Sequence, residues 1–164
     1  ISIQNRRIMS DKKLDLANIE KYLTSHMQMS ASTQGDFPWI FTAYYASDKD
    51  LNIYFLTSPS TIHGTQLATN PNVAVAIADS PQDPSGKKAG LQISGLCTQL
   101  TEELEVRAAL TLWCDKLKVK SPDYSYEGMQ SGKISGKMYK ITPKKLKLFD
   151  ESLQEEGKES LIEL

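Results

Sequence analysis

Apolar residues recur at Leu14, Leu16, Ile19, Tyr22 and Leu23, the spacing of one helix face, and predict an amphipathic helix over residues 12–25. The period then changes. Met27, Met29 and Ala31 alternate with Gln28, Ser30 and Ser32, which predicts a half-buried strand. Gln34-Gly35-Asp36 is turn chemistry and residues 38–46 are rich in aromatics, so the two segments read as a hairpin. A polar turn, Ser47-Asp48-Lys49-Asp50, leads into a third strand over 51–57. Residues 73–78 form a continuous apolar run, the pattern of a strand buried on both faces. Residues 79–88 carry prolines, a glycine and polar side chains, and read as a loop before a strand over 90–100. Thr101 is placed to cap a helix whose first turn holds Glu102 and Glu103. Its apolar stripe is Leu104, Ala108 and Leu112, with Val106, Ala109 and Trp113 as further members. Residues 118–136 read as an extended connection, followed by two short strands divided by Pro143.

Seven strands and three helices result, with strands following one another and helices inserted between some of them. That order differs from the strict alternation of a doubly wound sheet. A mainly β fold follows, an antiparallel barrel with peripheral helices, occupying residues 1–150. Residues 151–164 form an acidic tail carrying Leu153, Leu161, Ile162 and Leu164. Docking as a helix on a partner subunit and remaining unfolded are both open for it.

The segment between the third and fourth strands carries the most chemistry. Ser58 suits a helix N-cap, Pro59 the first helical position, and Ser60 and Thr61 the first turn. A helix start presents unpaired N–H groups and partial positive charge, so hydroxyls around it can hold a phosphate. His63 and Gln66 follow on the same helix, and Asn70-Pro71 ends it. An ordinary capped helix reads the same way.

The run Tyr54-Phe55-Leu56-Thr57-Ser58-Pro59-Ser60-Thr61, then His63, then Leu67-Ala68-Thr69-Asn70-Pro71-Asn72-Val73-Ala74-Val75 resembles the FMN-binding split β-barrel superfamily typified by pyridoxamine 5′-phosphate oxidase. Pro38-Trp39-Ile40-Phe41-Thr42-Ala43-Tyr44-Tyr45 resembles its second strand and Gly90-Leu91-Gln92-Ile93-Ser94-Gly95 its fifth. The segment 138–150 resembles the closing strands, and the resemblance covers residues 14–150. It implies a split antiparallel barrel of six to seven strands, paired as a homodimer with FMN in grooves at the interface. By position, Thr57, Ser58, Thr61 and His63 would hold the phosphate. Trp39, Ile40, Phe41, Thr42 and Leu56 would lie along the flavin ring, and Gln92 would face its polar edge. Trp113 would reach the site from the other subunit, although a Trp on an amphipathic helix is more often a core residue.

One departure stands out. Many members carry an Arg and a Lys on the helix after the turn, where this chain has Ile62 and His63. Losing such a charge-assisted contact costs on the order of 1.5–3 kcal/mol. Weaker FMN binding, roughly tenfold or more, is the expectation unless a lysine from the segment 137–147 compensates. Pyridoxamine phosphate itself is a poor substrate candidate, because the chain lacks a basic C-terminal clamp and its tail is acidic. The functional expectation is a flavin-dependent oxidoreductase acting on a small molecule, with NADH or NADPH as donor. A non-catalytic flavin- or haem-binding protein, or a flavin-free dimeric interaction module, remains the alternative on the same fold.

Composition narrows the rest. At 164 residues and 40% hydrophobic, the chain suits one domain with a full core. A net charge of −1 argues against nonspecific nucleic-acid binding. Cys97 and Cys114 have neither metal nor redox spacing and read as core thiols. His26 and His63 are far apart and form no zinc motif; no G-x-S-x-G or G-x-G-x-x-G is present. Gly128 to Lys133 imitates a Walker loop but is one residue short and places Ile134 where a hydroxyl should bind magnesium. No apolar run is long enough to span a bilayer, and the cytoplasm is the expected setting.

Overall fold

In the computed structural model the backbone is described for residues 3–154 and 161–164, with side chains from residue 13 onward within those spans. The strands are β1 (Gln28–Gln34), β2 (Pro38–Ser47), β3 (Ile53–Thr57), β4 (Asn72–Ile77), β5 (Ala89–Gln99), β6 (Lys137–Asp150) and β7 (Ile162–Glu163). The helices are α1 (Ile3–Ser25), α2 (Ile62–Leu67), α3 (Glu103–Leu117) and α4 (Tyr126–Gln130). Strand order is β3-β2-β1-β4-β5-β6, and β6 returns to pair with β3. Every pairing is antiparallel, so six strands close a barrel and the helices lie outside it. Closure removes the open sheet edges that would otherwise invite pairing with other chains.

The strand alternation sorts residues as the pleat requires. In β1, Met29, Ala31 and Thr33 point inward. Phe41 and Tyr45 of β2, Phe55 of β3 and Tyr139 of β6 join them, with Phe55 and Tyr139 stacked at 5.5 Å. Ile19 and Leu23 of α1 pack against the same core. Tyr45 is fully buried and its hydroxyl donates to the Leu23 carbonyl at 2.9 Å, satisfying an acceptor near the helix end. Burial pushes the Tyr45 phenol well above its ordinary range. Tyr45→Phe is expected to leave that carbonyl unpaired and to cost about 1–2 kcal/mol. A urea titration checks it, with a lower midpoint and an unchanged slope expected.

Several expectations change. The first helix begins at Ile3, well before residue 12. The run 73–78 is buried on one face only, because Ala74 and Ala76 point outward between buried Val73, Val75 and Ile77. Alanine is small enough for either environment, so the apolar run could not distinguish them. In α3 the N-cap is Glu102, with no side-chain cap bond, and Thr101 lies outside. The buried stripe is Val106, Ala109, Leu110 and Trp113, whereas Leu104 is 82% exposed. Both stripes have helical spacing; the one containing the tryptophan buries the largest side chain and lets its Nε1 donate to the Tyr44 carbonyl at 3.1 Å.

The connection 118–136 contains α4, whose Met129 is buried in a second core with Trp113, Ala46 and Met138. Arg107 ties α3 to α4 through Glu127 and the Tyr126 ring. The two strands divided by Pro143 are a single 14-residue strand. Gly95 pairs with Pro143 and Ser94 with Lys145, so Lys144 is an extra residue in a bulge directly after the proline. Beyond the bulge the edge of β6 that held β3 takes β7 instead, pairing Leu146 with Ile162. The end of the tail is therefore a strand with Ile162 in the core. Cys97 is buried, its thiol pushed up to about 12, and Cys114 is partly buried; both are free. No helix among the described residues is long and apolar enough to cross a membrane.

Candidate functional site

The ladder between β2 and β3 is short: Ser47, Ala46 and Tyr45 pair with Ile53, Tyr54 and Phe55. β3 continues along β6 as far as Thr57 opposite Lys137. His63 of α2 bridges the strands beyond that ladder. Its ring stacks on Phe41 of β2 with centroids 3.9 Å apart and planes within 10°, and its Nε2 lies 2.7 Å from Thr57 Oγ1 of β3. Burial lowers the His63 pKa below its ordinary 6.5, so the ring is neutral at neutral pH.

The turn before α2 differs from the sequence reading. Thr61 is the N-cap, with φ −70° and ψ 162°, in place of Ser58. Its Oγ1 accepts from Gly64 N at 3.1 Å and donates to the Ser58 carbonyl at 2.8 Å. Ser58, Pro59 and Ser60 lie in the turn itself, with the two serine hydroxyls 2.9 Å apart. Threonine caps as serine does, and here it is the residue whose oxygen reaches a first-turn N–H.

Two grooves border these elements. One, of about 400 Å³, lies between the β1–β2 hairpin tip and α2, and its lining includes Asp36, Phe37, Ser60, Ile62, Thr65 and Thr69. The other, of about 470 Å³, lies on the outward faces of β1, β2, β4, β5 and β6. Its lining combines small side chains, Ser30, Ser32, Ala74 and Ala76, with Ile40, Gln92 and two cations, Lys145 and Lys147.

Of the nominated residues, Phe41, Thr57, Ser58, Thr61 and His63 come together around the turn. Ile40 and Gln92 share the outward groove, and Thr42 is exposed on the same face of β2 as Ile40. Trp39 is 39% exposed and meets Phe37 edge-on at 6.3 Å. Leu56 packs on the second core, close against Gly136. Trp113 is buried there too and lines neither groove. Asp36, Phe37, Thr65 and Thr69 were not nominated. A signal existed for the threonines, since Thr61, Thr65 and Thr69 recur every four residues through α2 and its two ends.

The parts of FMN fit unequally. An outward groove lined by small residues, an isoleucine and an amide suits a planar heteroaromatic ring, and Lys145 and Lys147 add positive charge to the same lining. The turn does not suit a phosphate dianion. His63 is neutral and engaged by Thr57, Ile62 is apolar, and the charged residue lining the adjoining groove is Asp36, a carboxylate. Lys137 faces Thr57 across the ladder, but its Nζ donates to the Met129 carbonyl at 3.2 Å.

The closed six-strand antiparallel barrel with its peripheral helices is a split β-barrel, a fold shared with solved structures of other proteins. Solved structures support that fold. A protein related to general stress protein 26, of the pyridoxinephosphate oxidase family, from Clostridium acetobutylicum superposes with TM-score 0.64 at 16% identity, covering 91% of this chain and 94% of that one. An FAD-binding protein from Mesorhizobium loti gives 0.62 at 14% identity, covering 79% and 88%. A heme-binding protein from Mycobacterium smegmatis gives 0.63 at 14% identity over 87% of this chain and 55% of that one. No protein-family model and no curated protein sequence matches the chain.

Proposed function

We propose that the chain binds a flavin ring in the outward groove and serves as a flavin-dependent oxidoreductase for a small molecule. The carrying observation is that Ile40 and Gln92, distant in sequence, meet on one groove of about 470 Å³, within the usual range of about 300–1,000 Å³ for ligand sites. Ile40 supplies an apolar contact for a ring face. Gln92 supplies an amide that can both donate and accept at a ring's polar edge. FMN is the flavin the sequence resemblance implies, and the FAD-binding neighbour on this fold agrees with a flavin in general. Bound flavin brings the redox chemistry, with NADH or NADPH as the proposed donor; the protein contributes position and exclusion of water.

The same proposal includes a homodimer. The groove is open in one copy, and Ile40, Tyr44 and Leu96 leave apolar side chains exposed, 67%, 56% and 36% respectively. A second copy packed on this face would cover them and close the groove over a ring. Two free thiols that make no disulfide suit a reducing compartment, in keeping with a cytoplasmic protein.

An absorption spectrum of the purified protein, taken after incubation with flavin and removal of the excess, tests the reading. Retained flavin is the expected result; a haem band, or no retained chromophore, overturns it. Gln92→Leu keeps the side-chain size and removes the amide. It is expected to weaken flavin binding by roughly tenfold, the worth of about one hydrogen bond left unmade.

A further inference from the structure

The outward groove ends in positive charge, and one extra residue in β6 puts it there. Before the bulge the odd-numbered Tyr139 and Ile141 pack in the barrel core; beyond it the even-numbered Leu146 and Leu148 do. A one-residue insertion exchanges the two faces of a strand, so Lys144 in the bulge turns Lys145 and Lys147 outward. The strand register then carries that outward face across the sheet. Ile40 pairs with Ser32, Ser32 with Ala74, Ala74 with Ser94, and Ser94 with Lys145. A parallel row ends where Gln92 pairs with Lys147. Five strands at their usual separation span roughly 19 Å, more than the length of a tricyclic ring. A ring lying against Ile40 and the small residues therefore leaves the β6 end of the same groove for another part of the ligand.

That end carries two ammonium groups, each with three donors, beside the Ser94 hydroxyl and the Gln92 amide. Lys145 pairs with Glu163 of β7 at 2.9 Å, and both groups are exposed. Exposed pairs of this kind are weak and exchange readily. A phosphate monoester carries nearly two negative charges at neutral pH, against one on Glu163, and can meet two ammonium groups that stand two residues apart on one strand face. It therefore outcompetes the carboxylate. Other lysines of the segment 137–147 are placed elsewhere: Lys137 Nζ donates to the Met129 carbonyl at 3.2 Å, and Lys140 lies over the Tyr54 ring. We infer that the β6 end of the outward groove holds the phosphate of a flavin nucleotide on Lys145 and Lys147, in place of the 57–61 turn. The inference rests on the flavin reading above and deepens it, naming the ligand class as a phosphorylated flavin and the two lysines as its anchors.

Equilibrium titrations of FMN and of riboflavin into the full chain, at matched pH and salt, test it. FMN is expected to bind at least about tenfold more tightly than riboflavin. In Lys145→Gln/Lys147→Gln that advantage is expected to vanish while riboflavin binding stays. Equal binding of the two ligands by the parent, or an FMN advantage that survives the double substitution, overturns the inference and leaves the flavin reading intact. Binding of neither ligand overturns the flavin reading itself, so the two failures are distinct. Glu163→Gln guards against a double variant that does not fold, because it keeps both lysines. It removes the competing carboxylate and is expected to tighten FMN several-fold with riboflavin unchanged. An FMN affinity that stays the same or falls in that variant overturns the placement of the phosphate beside Lys145.

Discussion

Gly64→Ala is expected to destabilise the protein by about 3 kcal/mol, against the usual direction for a helical glycine. In an ordinary helix interior alanine is the better residue by up to about 1 kcal/mol, because glycine loses more backbone freedom on folding. Here a Cβ would stand 2.6 Å from the Ser58 carbonyl oxygen and 2.7 Å from that of Pro59. Both obstacles are backbone atoms, so no side-chain rotation relieves the clash. The turn must lift away from the helix, and the Thr61 cap, which closes on Gly64 N itself, loosens with it. Gly132→Ala is the instructive contrast: nothing lies within 4 Å of its Cβ position, and its strain comes only from φ +76°. Urea titration of both variants separates crowding from dihedral strain, with the larger loss expected at Gly64. A Gly64→Ala protein as stable as the parent would mean that the 58–60 turn is free to move.

The barrel was legible because its strands announce themselves. Alternation in 27–32, the aromatic run at 38–46 and the turn residues between them predicted the β1–β2 hairpin, which pairs from Gln28↔Tyr44 to Gln34↔Pro38. What failed has a common cause, a pattern compatible with two environments. Alanines 74 and 76 did not reveal an outward face, and α3 carried two overlapping apolar stripes, of which the sequence preferred the exposed one. Pro143 signalled a break where a bulge absorbs it. The site was less legible than the fold, since it depends on partners chosen across the barrel. Residue types at 57–63 allowed an anion site; only the observed bonds reveal that the Thr61 hydroxyl proton is already committed to the Ser58 carbonyl and that the His63 ring bridges Phe41 of β2 and Thr57 of β3. Likewise Ile40 and Gln92 lie far apart in sequence, and only strand order brings them to one groove.

His63→Ala is expected to cost about 2–3 kcal/mol, because the ring does structural work that the sequence assigned to a ligand. Removing it uncovers Phe41, which is only 9% exposed with the ring in place, and deprives Thr57 Oγ1 of its 2.7 Å partner. His63→Phe keeps the stack and loses the hydrogen bond, so it should fall between the parent and the alanine variant. The pH dependence carries a definite sign. Burial lowers the folded-state pKa of His63 below 6.5, so the unfolded chain binds its proton more readily. The contribution of the neutral ring is therefore fully present above pH 6.5 and is lost as pH falls through 6.5 towards the folded value. Parent and His63→Phe stabilities, measured at about pH 7.5 and about pH 5.5, should converge at the lower value. A ring that instead bonded an anion would be protonated more easily in the folded protein, and its contribution would grow as pH fell. Convergence thus identifies His63 as the neutral plug of the split, and divergence would return it to the role of a phosphate ligand.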